Sequence, residues 1–157
     1  MAAIRFTLNG KEAEYTGSAA DRLLDVLRSE YQCTSVKCGC KEGECGACSV
    51  LIDGVLYNSC CVAMGVVEGA SVVTMEGFRE TERFAVIDKA FGELSAVQCG
   101  FCIPGMVLAV EALLSKNPHP DEDEIREGLS GNLCRCTGYN AIVNAVSNAA
   151  KEGNGLW

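Results

Sequence analysis

Cysteine carries the chemistry of this sequence. Eight of its eleven cysteines fall into two sets with the spacing of metal ligands. The first is Cys40-x4-Cys45-x2-Cys48, followed after eleven intervening residues by Cys60. C-x4-C-x2-C…C is the spacing of the plant-type [2Fe–2S] centre. Three ligands on one tight loop must wrap a compact cluster, so the backbone has to turn repeatedly. Gly39, Gly43 and Gly46 permit the positive φ angles and close approach this needs. Their N–H groups can then point at the cluster sulfurs and spread the negative charge. Cys60 is expected on the second arm of a hairpin around Asp53-Gly54, where it closes the cage. A structural zinc site is the bland alternative. Zinc also takes four thiolates, but usually from two separated CxxC knuckles rather than three ligands crowded on one loop.

The second set is Cys99-Gly100-Phe101-Cys102 with Cys134-Arg135-Cys136. A CxxC alone reads equally as a redox dithiol. That reading expects a parallel βαβ context and leaves Cys134 and Cys136 without a role. A four-thiolate site between two helix starts uses all four. Cys102 comes just before Pro104, and Cys136 just before Gly138 and a final helix. Helix N-termini stabilise anionic centres through free N–H groups and the macrodipole. Arg135 either neutralises thiolate charge or is simply solvated. Cys33, Cys38 and Cys61 remain. Cys38 lies two residues from Cys40 and Cys61 adjoins Cys60, so either neighbour is an alternative ligand. A strand pleat would point Cys60 and Cys61 to opposite faces, leaving one of them able to reach the cage. The default for all three is a small buried or partly buried residue.

Other chemistries are excluded by composition. The single histidine, His119, rules out a Rieske centre and a paired-histidine zinc finger. It sits in Asn117-Pro118-His119-Pro120, which reads as an exposed connector. Neither CxxC is followed by histidine, so covalent haem attachment fails. The net charge is −8, a poor match for nucleic acid. No charged segment followed by an apolar run opens the chain, so no signal peptide is expected. No apolar stretch approaches the roughly 18 residues of a membrane span. An odd number of cysteines argues against a disulfide scaffold, and the expected compartment is the cytoplasm.

The elements that position these thiols follow from hydrophobic periodicity. Ile4, Phe6 and Leu8 alternate with polar residues as a half-buried strand. Asn9-Gly10 marks a hairpin, with Ala13 and Tyr15 continuing the alternation. Ala20, Leu23, Leu24, Leu27 and Tyr31 form one helix face, with Ser18 or Asp21 near its start. Residues 49–52 and 55–59 flank Asp53-Gly54, and 71–75 gives a fifth strand. This is a small α+β unit over 1–77. Residues 78–83 are polar and read as a linker.

Every periodic segment over 84–157 looks helical. Phe84, Ile87, Ala90 and Phe91 give one face. Met106, Val107, Val110, Leu113 and Leu114 give another, with Pro104 early in the helix. Asp121 and Glu124 resemble a capping box, and Ala141, Val143, Ala145 and Val146 begin a last helix. The second unit is a bundle of about four helices. Halves of about 75–80 residues are marginal for a hydrophobic core alone. A metal centre in each would supply a cross-link. Trp157 is either a loose tail or an interface anchor.

Three stretches resemble one family. Val36-Lys37-Cys38-Gly39-Cys40 leading into Glu42-Gly43-Glu44-Cys45-Gly46-Ala47-Cys48-Ser49-Val50 is similar to the first signature of the iron–sulfur subunit of molybdenum hydroxylases. Ala96-Val97-Gln98-Cys99-Gly100-Phe101-Cys102-Ile103-Pro104-Gly105-Met106 resembles the second. Gly131-Asn132-Leu133-Cys134-Arg135-Cys136-Thr137-Gly138-Tyr139 resembles the third. This is the xanthine dehydrogenase, aldehyde oxidoreductase and carbon monoxide dehydrogenase family. Cys38, Ser49 and Ile103 depart from its commonest residues.

The resemblance implies an α+β fold: a β-grasp, plant-type ferredoxin-like domain followed by an all-α four-helix [2Fe–2S] domain. It implies two [2Fe–2S] clusters, on Cys40, Cys45, Cys48 and Cys60, and on Cys99, Cys102, Cys134 and Cys136. It selects Cys60 over Cys61. Gln98 is expected to contact the pterin and Cys136 to lie beside it. The molybdenum–pterin cofactor and FAD are expected on partner subunits, with a dimer of such heterotrimers as the larger assembly. The implied role is electron relay during hydroxylation of a purine or other N-heterocycle, xanthine-type favoured, or of an aldehyde. No residue of this chain is expected to be catalytic. A free-standing ferredoxin-like carrier and a zinc-stapled interaction module are the rivals.

Overall fold

Alternation builds the first hairpin. β1 (Ile4–Leu8) buries Ile4, Phe6 and Leu8 and turns Arg5 outward. Asn9 and Gly10 both take positive φ, 51° and 77°, as a tight twisted turn requires. β2 (Lys11–Tyr15) returns antiparallel, with Ile4 opposite Tyr15. The computed structural model describes residues 3–153 and 155–157. Met1, Ala2 and Asn154, which belong to the terminal runs read above, lie outside the described residues.

β3 (Ser49–Ile52), β4 (Val55–Asn58) and β5 (Ser71–Val73) complete a five-stranded sheet in the order β2-β1-β5-β3-β4. β1 and β5 run parallel and the other pairs antiparallel. All four residues of β3 are buried. Val50 and Ile52 join the core around Leu23, Leu24 and Leu27 of α1 (Leu23–Ser29). Leu51 joins the core of the helical half. A strand covered on both faces reads as a near-continuous apolar run, as Val50-Leu51-Ile52 does here.

The second half is helical, as its periodicity requires. α3 (Glu82–Glu93), α4 (Ile103–Lys116), α5 (Glu122–Gly128) and α6 (Asn140–Glu152) bury Ile87, Phe91, Met106, Val110, Leu114, Ile125, Ile142 and Val146 together. The capping box is present: Asp121 accepts from Glu124 N–H, and Glu124 accepts from Asp121 N–H. α4 packs across β3, so the two halves share a face. The chain is α+β, a mixed β-grasp sheet followed by a helical bundle. Among the described residues no helix is long and apolar enough to cross a membrane.

Four expectations are corrected. Neither Ser18 nor Asp21 caps α1, whose N-cap is Arg22. The Asp21 carboxylate instead accepts from the Tyr15 hydroxyl and the Ser18 N–H. The strand over 71–75 stops at Val73, because Thr74 is drawn into side-chain bonds with Asn9 and Glu76. Residues 78–83 are not a free linker. Phe78 ends a short helix, α2 (Met75–Phe78), and lies buried with its ring edge-on to Phe84. Thr81 then caps α3 by accepting from Phe84 N–H, and Arg83 lies within that helix. Trp157 is not loose. Its indole N–H donates to Glu111 at 2.8 Å, and its ring lies against Gly153, where a Cβ would overlap it.

Candidate metal centres

The first set lies on the loop between α1 and β3. Two N–H groups, of Glu42 and Glu44, each reach the Cys40 sulfur at 3.4 Å. The Glu42, Cys45 and Glu44 amides, in that order of effect, pull the Cys40 thiol down to about 7, so the loop favours the thiolate. A Cys45 side-chain bond adds to this, which pairs Cys45 with Cys40. Gly39 serves by lacking a side chain, not by positive φ: a Cβ there would stand 2.6 Å from the Cys45 sulfur. Gly43 and Gly46 do take positive φ, 82° and 67°.

Cys48 and Cys60 form the second pair of this set. Both are buried, and Cys60 is near enough to shift the Cys48 thiol. Burial pushes the Cys48 thiol up to about 11, against the opposing Cys60 N–H. Cys60 is not on the β4 arm as expected. It sits in a one-turn 3₁₀ helix, Ser59–Cys61, held by the Ser59 hydroxyl and N–H on the Cys48 carbonyl at 2.7 and 3.3 Å. The pleat argument for Cys61 therefore fails. Its sulfur lies only 3.7 Å from that of Cys60, though Cys61 is exposed. Cys33 is buried in the N-terminal core and Cys38 is exposed.

The second set gathers between two helix starts, as the sequence suggested. Cys102 is the N-cap of α4, while Cys134 and Cys136 lie on the loop before α6. The Cys99 and Cys136 sulfurs are 3.6 Å apart. Two thiolates on one tetrahedral metal, at about 2.3 Å each, stand about 3.8 Å apart. Cys102 pairs with Cys134. Burial pushes Cys102 up to about 12, and its bond to Cys134 adds to this. Burial opposes the Cys134 thiolate too, but the Thr137 hydroxyl at 3.1 Å, with the Thr137 and Cys136 amides, holds that thiol below its ordinary value. Cys99 and Cys136 are exposed, as are Gln98 and Arg135. Exposed Val97, Phe101 and Leu133 belong to the same two loops.

Among the described residues, no three His, Cys, Asp or Glu side chains converge on a single ion position. The Cys99 and Cys136 sulfurs meet directly, and Cys40 with Cys45, Cys48 with Cys60 and Cys102 with Cys134 are neighbours near enough to shift one another's titration. That donor set fits a two-iron centre, with two thiolates for each iron.

Sequence reasoning missed the residues that lock the two loops together. Asn132 is buried and donates to the Gly46 carbonyl at 3.0 Å and the Ser49 hydroxyl at 3.2 Å. Leu133 N–H donates to the Cys45 carbonyl at 2.9 Å. A Cβ on Gly46 would overlap the Gly131 carbonyl, so glycine is what allows this approach. Tyr139 takes a left-handed φ of 71° and accepts from Cys134 N–H at 2.8 Å. The third signature contains Asn132 and Tyr139, but nothing local indicates their partners.

Comparison with known proteins agrees with this two-centre layout. A 2Fe-2S iron-sulfur cluster binding domain model matches residues 6–69, and a [2Fe-2S] binding domain model matches 74–147. The chain is 45% identical over 149 residues to the nicotinate dehydrogenase small FeS subunit of Eubacterium barkeri, covering 95% of both. The chain belongs to the iron–sulfur subunits of the molybdenum hydroxylase family. Another such relative is the xanthine dehydrogenase iron-sulfur-binding subunit of Escherichia coli, 42% identical over 94% of this chain and 94% of that protein. The solved aldehyde oxidoreductase of Desulfovibrio gigas superposes with a TM-score of 0.92 at 38% identity. It covers 100% of this chain but only 18% of its own. This iron–sulfur subunit is thus an oxidoreductase component with two [2Fe–2S]-binding domains.

Proposed function

We propose that the chain relays single electrons between a molybdenum–pterin subunit and an FAD subunit, the latter passing them to NAD+ or another acceptor. The reaction served is hydroxylation of a purine or other N-heterocycle, with an aldehyde as the alternative substrate class. Cys40, Cys45, Cys48 and Cys60 hold one cluster, and Cys99, Cys102, Cys134 and Cys136 the other. Each bound [2Fe–2S] cluster supplies a one-electron site.

One observation carries the reading. The Cys45 carbonyl, on a residue of the first set, accepts from the N–H of Leu133, next to Cys134 of the second set. This bond and those of Asn132 to Gly46 and Ser49 join the two thiol loops directly, the layout expected of two centres working in series. The chain's own residues fix that spacing. Asn132 clamps the first loop, Tyr139 holds the Cys134 amide, and burial keeps water from Cys48 and Cys60. Gln98 and Cys136 lie at the exposed edge of the second set, the side we assign to the pterin. The first set then faces FAD. A cytoplasmic complex, a dimer of heterotrimers, and a division into units meeting near residue 77 complete the proposal.

Affinity purification of the tagged chain from its native host tests it. The expected outcome is two co-purifying larger subunits carrying molybdenum and flavin. An N-heterocycle added without oxygen then bleaches the iron–sulfur absorbance of the complex. Isolation of the chain alone, with no substrate able to bleach it, would contradict the reading.

A further inference from the structure

Cys61 has no role in either thiol set, yet its sulfur lies 3.7 Å from that of Cys60. We propose that the Cys61 thiol donates an S–H···S hydrogen bond to the Cys60 thiolate and thereby raises the reduction potential of the first cluster. The inference rests on Cys60 being a ligand, as proposed above. A ligand sulfur has given up its proton to bind iron. In the Cys60–Cys61 contact only Cys61 then still has a proton to donate. Hydrogen bonds to cluster sulfurs offset the added negative charge of the reduced state, so they raise the potential.

A second observation shows that the thiol has a place made for it. Gly43, on the cluster loop, takes φ 82°, and a Cβ there would stand 2.9 Å from the Cys61 sulfur. The space left by that missing side chain is the space beside which the thiol sits. Gly43 is itself held in position, because Asn58 donates to its carbonyl at 2.6 Å. The short 3₁₀ turn fixes Cys60 and Cys61 as neighbours, so the contact does not depend on a long flexible side chain. Cys61 is thus a positioning residue for charge, acting through Cys60 rather than on any substrate.

The test is an EPR-monitored redox titration of the whole complex with wild-type chain, Cys61→Ala and Cys61→Ser. Cys61→Ala is expected to keep both reduced-state signals and about four irons per chain, with the first cluster's midpoint shifted to lower potential and the second unmoved. Cys61→Ser keeps a donor, so its midpoint should fall less. An unshifted Cys61→Ala midpoint, or an equal fall in both variants, overturns the hydrogen bond. Loss of the first signal in Cys61→Ala overturns it differently, by making Cys61 a ligand. A wild-type complex lacking the first signal would instead overturn the cluster reading itself.

Discussion

Asn132 ties the two cysteine loops with one side chain. Its amide donates to Gly46 and Ser49, 86 and 83 residues away in sequence, and it is buried. Removing a buried hydrogen-bonding group of this kind costs about 1–3 kcal/mol. Asn132→Ala should lower the thermal midpoint of the complex while both clusters remain, and an unchanged midpoint would contradict that role. The grouping of the thiols was legible, because short, fixed spacings keep them on the same loops. Asn132, Thr137 and Tyr139 were not, because their partners are set by how two loops meet. Cys60 shows the mixed case. The family pattern selects it over Cys61, but the 3₁₀ turn that places it has no local signature.

At the scale of elements, α2 holds the first cysteine loop to the sheet through Glu76. Its carboxylate accepts from the Ser35 N–H at 2.9 Å and from the Ser35 and Thr74 hydroxyls at 2.5 and 2.6 Å. Burial pushes its pKa up, but the Ser35 and Thr74 hydroxyls and the Ser35 amide outweigh this and leave it below the ordinary carboxylate value. A folded pKa below the unfolded one, about 4.3 for Glu, stabilises the fold above that pH. The contribution is lost as pH falls through the folded value. Wild type should therefore exceed Glu76→Gln in urea midpoint at neutral pH, with the gap closing below about pH 4. A gap that stays constant across that range would contradict the assignment.

The regular elements were legible because each has one buried face, which stamps a period of two or 3.6 on the sequence. α2 was hidden because Phe78 is the one buried residue within it. The C-terminal tail was hidden in the same way. Trp157 docks through Glu111, which also pairs with Arg83 at 2.8 Å, and none of the three is near another in sequence.

At the scale of the molecule, two modest cores meet along one shared strand. β3 sends Leu51 to the helical core and Val50 and Ile52 to the other, so neither half closes without it. The shared strand sits directly after the first cysteine loop, and α4, which packs on it, begins just after its N-cap Cys102. The fold thus fixes the two thiol sets relative to each other through its most buried element. We propose that these sets hold two separate [2Fe–2S] clusters. EPR spectra of the reduced complex, with iron content, test it most directly. Wild type should give two signals and about four irons per chain. Cys45→Ser should remove one signal, Cys134→Ser the other, each leaving about two irons. A single signal in wild type, or zinc in place of iron, would contradict it.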